Sequence, residues 1–245
     1  MPYAVVTREA NGAAPYVTAL AALGLDVIAM PVTRSEPPAD ATALARALAG
    51  GGHVAILCAS ARAARALAVA RGHEAIPDVW AVGPATARAL ADAGITAIVP
   101  ADVRDGASLA RALVATRSVA GSRVLVPRAE DGRDEAIAIL AAAGAVVDAV
   151  VAYRTVAVDG RDPAIARGRE LLESGDAAVC AVFAPSQVTA LDRITPLRRL
   201  ATRYVAIGET TAQALRDAGV AVAVAETPTP EGMVRAVTAV YSPPP

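Results

Sequence analysis

The chain has 245 residues, with 23 Lys+Arg against 24 Asp+Glu and a formal net charge of −1. That balance excludes a strongly basic nucleic-acid binder, and 55% hydrophobic against 19% charged residues excludes a disordered chain. Aromatics make up only 3%, so the core is expected to be aliphatic, without the aromatic platforms on which bases stack.

Residues Met1 to Arg8 read as a strand, Tyr3–Val6, and lack the basic start, apolar stretch and cleavage site of a signal peptide. Further strands are expected at Asp26–Met30, His53–Cys58, Val79–Val82, Ala97–Val99, Arg123–Val126, Val146–Val151, Ala177–Phe183, Tyr204–Ile207 and Ala221–Val224. Most are separated by Ala/Leu/Arg stretches with helical spacing. Gly24, Gly94, Gly144 and Gly219 stand where a helix ends before a strand and the chain needs positive φ. Strand and helix in alternation imply βα units and parallel sheets covered on both faces. Pro31 to Asp40 and Ala152 to Pro163 read as breaks at which the chain crosses between lobes. Cys58 and Cys180 lie in apolar runs and are expected to be buried thiols of a reducing compartment. The two histidines are too few for a zinc site with them. No apolar run is long enough for a membrane span. The Pro-rich residues 242–245 are expected to form a flexible tail.

The sequence repeats itself. The stretch from Ala81 to Gly94 (AVGPATARALADAG) returns as Ala206 to Gly219 (AIGETTAQALRDAG), 125 residues later. Val6-Thr7-Arg8 matches Val126-Pro127-Arg128, and Gly24 matches Gly144, 120 residues later. Ser60 and Ser186 pair at 126. Two similar α/β lobes facing each other across a cleft are the simplest reading. One would hold both chain ends and the other the middle.

There is no Walker loop, no G-x-G-x-x-G and no nucleophile elbow, so phosphoryl, hydride and triad-type acyl transfer lose support. What remains is a set of hydroxyls and arginines at the carboxyl ends of strands: Thr7, Arg8, Ser60, Thr86, Arg128, Ser186 and Thr211. Ligands of open parallel sheets bind at that edge, where helix N-termini offer free N–H groups and partial positive charge. Such a set suits a ligand carrying many carboxylates. Tyr153-Arg154-Thr155 lies beside the second crossing. In Glu226 to Gly232, Thr229 is placed to cap the last helix, with Pro230 in its first turn and Glu231 at its positive end.

Taken in order, Val6-Thr7-Arg8, Ala81 to Ala87 (AVGPATA), Val151 to Thr155 (VAYRT), Ala206 to Ala212 (AIGETTA) and Thr227 to Gly232 (TPTPEG) resemble the uroporphyrinogen-III synthase family over nearly the whole chain. The resemblance implies a lobe at 1–33 and 157–245, a middle lobe at 37–152, and connecting strands at 34–36 and 153–156. It implies a lyase, without cofactor or metal, that closes hydroxymethylbilane to uroporphyrinogen III with loss of water and inversion of ring D. By motif, Thr86, Tyr153 and Thr211 match positions lining the cleft. Tyr153 matches the tyrosine that helps the hydroxyl leave, and Ser60 the serine after the strand. Thr7, Arg8, Arg128, Ser186 and Thr229 complete the substrate-binding set. The family often carries hydroxyls where this chain has Ala59, Phe183 and Ala184.

A cytoplasmic monomer is expected, with a linear tetrapyrrole as its small-molecule partner. Neither nucleic acid nor membrane is expected as a partner, and contact with the upstream bilane-forming enzyme would be transient. The competing readings are a two-lobed anion-binding protein, a regulatory descendant of the synthase without catalysis, and a flavodoxin-like carrier, which would need more aromatic residues.

Overall fold

The structure is a computed structural model that describes residues 2–241; the tail expected at 242–245 lies outside them. In chain order the elements are β1 (Tyr3–Val6), α1 (Ala10–Ala21), β2 (Asp26–Ala29), β3 (Thr33–Glu36), α2 (Ala43–Gly50), β4 (His53–Cys58) and α3 (Ala61–Arg71). Then follow β5 (Asp78–Ala81), α4 (Gly83–Ala91), β6 (Ala97–Ile98), α5 (Gly106–Thr116), β7 (Arg123–Ala129), α6 (Glu135–Ala142) and β8 (Val146–Ala157). The last stretch holds α7 (Pro163–Ser174), β9 (Ala177–Val182), α8 (Pro185–Ile194), a 3₁₀ turn (Leu197–Arg199), β10 (Arg203–Ala206), α9 (Glu209–Asp217), β11 (Val222–Val224) and α10 (Pro230–Val240).

The chain divides into two compact units, one built from the residues up to Arg34 and from Val156 onward, the other from Ser35–Thr155. The first holds a sheet in the order β11-β10-β9-β1-β2, and every neighbouring pair runs parallel. The second sheet runs β3-β8-β7-β4-β5-β6, parallel from β8 to β6. Apart from β3 the two orders are the same, with β1 and β2 matched by β7 and β8. The α/β class with parallel sheets between helices is therefore observed.

Alternation along the strands feeds two helical layers in each unit, because successive side chains leave a strand on opposite faces. In the first unit Val5, Cys180 and Val182 join one core, with Ile165 and Leu171; Ala4, Val6, Val179 and Ala181 join the other, with Leu20, Met233 and Val237. In the second unit Ile56, Cys58 and Leu125 face Leu67 and Leu90, while Leu57, Val124 and Trp80 face Leu109, Leu113 and Leu140. The core is aliphatic, as the composition predicts. Both cysteines are buried, and burial pushes each thiol up to about 12.

Gly94 and Gly219, matched in the repeat, follow α4 and α9 with φ of +70° and +79°. Only glycine takes that conformation without strain. Two strand stretches that lie outside the apolar runs have a local cause. The polar break at 31–40 contains the strand β3, held by pairing with β8 rather than by apolar burial: Arg34 and Ser35 are exposed. β8 also runs on past Val151 to Ala157, because Tyr153, Thr155 and Val156 are good strand formers despite the charge at Arg154.

Candidate functional site

In the second unit the carboxyl ends of β4, β7 and β8 meet the N-termini of α3, α5 and α6. Ser60 follows β4 as the N-cap of α3 and accepts from the Ala63 N–H at 3.1 Å. Tyr153 stands on β8, opposite Ala129 of β7 after a register shift. Its carbonyl accepts from the Glu130 N–H at 2.9 Å, which pins the strand at this point. The Tyr153 phenol lies 3.2 Å from the Ser60 hydroxyl. The guanidinium of Arg62 sits 6.0 Å from the Tyr153 ring centroid.

Both hydroxyls line a cavity of about 550 Å³. Its wall carries four arginines, Arg104, Arg111, Arg128 and Arg133, against the carboxylates of Asp105 and Glu135. Asp105 caps α5 by accepting from the Ser108 N–H at 2.8 Å, while Ser108 Oγ accepts from the Asp105 N–H at 3.0 Å. Those bonds, aided by Arg133 and Arg111, hold its carboxyl below the usual range. Asp105 is thus spent partly on its own helix, and the wall stays predominantly cationic. Ala59 fits the same packing. A Cβ on Gly106 would lie 3.4 Å from that of Ala59, so the residue lacking the family's hydroxyl touches the start of α5. The loop arginines at 104 and 133 and the helical Arg111 were not legible beforehand. They lie on loops and helix starts whose approach depends on the sheet order.

At the matching edge of the first unit, Thr7 is fully buried. Its hydroxyl lies 3.0 Å from the Ala181 carbonyl and 2.8 Å from Gln187 Oε1. The same Gln187 oxygen accepts from the Phe183 N–H at 2.9 Å, which fixes the amide's orientation. Gln187 was missed by sequence reasoning, because a glutamine three residues into a helix ordinarily faces solvent. Arg8 lies over the rings of Tyr16 and Phe183. Thr86 and Thr211 are buried in the first turns of α4 and α9, at 3% and 4% exposure. Thr229 caps α10, accepting from the Gly232 N–H at 3.2 Å.

The pairing of Ser60 with Ser186 needs correction. The N-cap of α8 is Ala184, followed by Pro185, and Ser186 is exposed in the first turn. Counted from the strand ends Cys58 and Val182, the repeat at this point is 124 residues. Ala184 is therefore the structural counterpart of Ser60, and α8 starts without a side-chain cap; Gln187 reaches back to the Phe183 N–H instead.

Among the described residues, no three His, Cys, Asp or Glu side chains gather as a metal site, and no helix is long and apolar enough to cross a membrane. The family model for uroporphyrinogen-III synthase HemD matches residues 14–235. The chain belongs to this family. Membership carries the activity of a uroporphyrinogen-III synthase, an enzyme of heme biosynthesis acting on a tetrapyrrole.

Two solved structures share the fold. A mutant uroporphyrinogen III synthase from the extremely thermophilic bacterium Thermus thermophilus is 24% identical, with a TM-score of 0.62 over 98% of both chains. The uroporphyrinogen-III synthetase of Helicobacter pylori 26695 is 15% identical, with a TM-score of 0.67 over 98% of this chain and 100% of that one. No curated protein gives a match. For a uroporphyrinogen-III synthase the arrangement above is chemically apt. It joins a phenol and a hydroxyl in contact to a cationic wall, at the edge where parallel sheets bind anions.

Proposed function

We propose that the chain is a dehydrating lyase that converts hydroxymethylbilane to uroporphyrinogen III and water, with Tyr153 as the proton donor to the departing hydroxyl. The observation that carries this reading is the Tyr153–Ser60 pair on the wall of the arginine-lined cavity. A phenol is protonated at neutral pH and can donate. Ser60 is oriented by the Ala63 N–H; by donating its own proton to the phenol oxygen it leaves the Tyr153 Oη–H free to point at the departing hydroxyl.

The chemistry asks for little else. A pyrrole nitrogen pushes electrons toward the hydroxymethyl carbon as its C–O bond breaks, and the proton from Tyr153 completes the water. The azafulvene so formed is attacked by the substituted carbon of ring D, giving a spiro intermediate; its bond to the old bridge carbon breaks, that bridge re-attaches at the other α-carbon of the inverted ring, and the proton this carbon sheds on regaining aromaticity returns to the Tyr153 phenolate. Since the bilane also closes unaided to the uninverted isomer, the enzyme's main task is to hold one folded conformation, with modest acid catalysis added. We assign the holding to carboxylate contacts at the sheet edges. Arg104, Arg111 and Arg133 act in the second unit, with the capped helix start at Ser60 beside them. Thr86 and Thr211, buried in the first turns of α4 and α9, and Thr7, buried after β1, shape the sheet edges of their own units. Each charge-assisted bond contributes about 1.5–3 kcal/mol where water is excluded. The cytoplasm is the proposed compartment.

Product analysis tests the reading. Fresh hydroxymethylbilane is supplied, the reaction stopped early, the products oxidised, and the type I and type III uroporphyrins separated by chromatography. Type III in proportion to enzyme is expected. Type I alone, at the spontaneous rate and from folded protein, would overturn it.

A further inference from the structure

The repeat places an arginine at the end of the first strand of each half, Arg8 and Arg128, and a glycine four residues on, Gly12 and Gly132. The two glycines serve their arginines alike. A Cβ at position 12 would stand 3.2 Å from Arg8 Nε, and one at position 132 would stand 3.2 Å from Arg128 Nε. Each guanidinium therefore lies against bare backbone.

What holds the two guanidinium groups differs. Arg128 donates to Asp134 at 2.5 Å and to the Gly132 carbonyl. Its charge is answered inside its own loop. In the first half α1 begins at Ala10, so the residues matching that loop are already helical. The residue matching Asp134 is Ala14, which is exposed and has no carboxylate. Arg8 instead lies 5.5 Å from the ring centroid of Tyr16 and 5.0 Å from that of Phe183. The two rings meet edge to face, 4.6 Å apart. Ring faces attract a cation without cancelling its charge. Burial pushes the Tyr16 phenol up despite the arginine beside it, so the ring stays neutral. The carboxylate facing Tyr16, Glu231, is engaged by the first turn of its own helix and by Arg235.

We propose that the two arginines have divided their work. Arg128 secures its loop, while Arg8 binds a carboxylate of the substrate, with Tyr16 and Phe183 as positioning residues that aim it across Gly12. The inference rests on the proposed function for the identity of its ligand. It also gives Phe183 a part at a position where the family often has a hydroxyl.

The test combines turnover with binding. KM and kcat are measured for type III formation, and affinity for uroporphyrin III by fluorescence titration, which needs no turnover. Arg8→Gln is expected to raise KM and Kd about tenfold, a charge-assisted bond discounted for partial exposure, with kcat within about twofold. Phe183→Leu should raise both about threefold alone and add nothing in the Arg8→Gln background, because residues acting through one another are non-additive. Arg128→Gln should lower Tm by a few degrees (~1 kcal/mol), and Arg8→Gln by less than that, since only its contacts with the two rings are lost. The proposal is overturned by KM and Kd within twofold of wild type in Arg8→Gln, or by a full further loss on adding Phe183→Leu to it. If the wild type forms only type I isomer, the activity reading fails instead, and the titration still decides whether Arg8 binds the tetrapyrrole's carboxylates.

Discussion

Two side chains decide whether the second unit works as a proton donor. Tyr153→Phe keeps the ring against Arg62 and removes only the oxygen that meets Ser60. We expect kcat to fall about 10²-fold, the lower range for a general acid, with type III still formed because the fold of the substrate is kept. Stopped-flow assays with isomer analysis would show it, and an unchanged rate would remove Tyr153 from the mechanism. At the other end of the same sheet, Asp148 on β8 binds His53 Nε2 at 2.6 Å and Arg123 Nη2 at 2.6 Å. Burial works to raise its carboxyl, but the hydrogen bonds from His53 and Arg123 outweigh that and hold it below the usual range. A carboxylate depressed in the folded state adds stability that is complete above its unfolded pKa of about 3.9 and is lost as pH falls through the lower folded value. Denaturation midpoints measured from pH 7 to pH 3 should therefore decline more gently below about pH 5 in Asp148→Asn than in wild type. Identical slopes would show that the cluster contributes no acid sensitivity.

At the scale of elements, α7 packs closely on the end of β2. A Cβ at Gly168 would come 2.7 Å from the Met30 Cβ, so the helix can approach this closely only as glycine. Gly168→Ala is expected to destabilise by about 1–3 kcal/mol, the usual cost of overpacking, and Met30→Ala in the same chain should not recover it, because alanine keeps the Cβ that is met first; differential scanning calorimetry gives both. Such close approaches are what a sequence hides. The strands from Tyr3–Val6 to Val222–Val224 were legible because each is a short apolar run between turn signals, and so was the cap at Thr229, set by its Pro-Glu-Gly sequel. β3 has no such run: Thr33, Arg34, Ser35 and Glu36 show no apolar alternation and owe their strand to a neighbour distant in sequence, so only the resemblance pointed to a strand there. The site divides in the same way. Ser60, Tyr153 and Arg128 could be marked at strand ends, whereas Arg104, Arg111 and Arg133 reach the cavity through loops and helix starts. The choice of Ser186 failed by two residues, for repeat matching sees letters and Ala184 holds the structural position.

For the whole molecule, the middle unit is continuous, Ser35–Thr155, and has its own two cores. An excised fragment of those residues is expected to unfold cooperatively in urea with native-like far-UV circular dichroism. A flat, non-cooperative melt would mean that its cores need the rest of the chain. The unit made from the chain ends is in a different position during synthesis. Its interior strand β1, starting at Tyr3, takes one partner from β2 nearby and the other from β9, which starts at Ala177. At about 5–20 residues per second, a ribosome needs on the order of 10–35 s to deliver the second partner. Through that interval one edge of β1 lacks its native strand while the middle unit completes itself. A message cut short after Thr155 would leave a finished middle unit trailing a β-hook with nothing to close on, the kind of edge on which nascent chains aggregate.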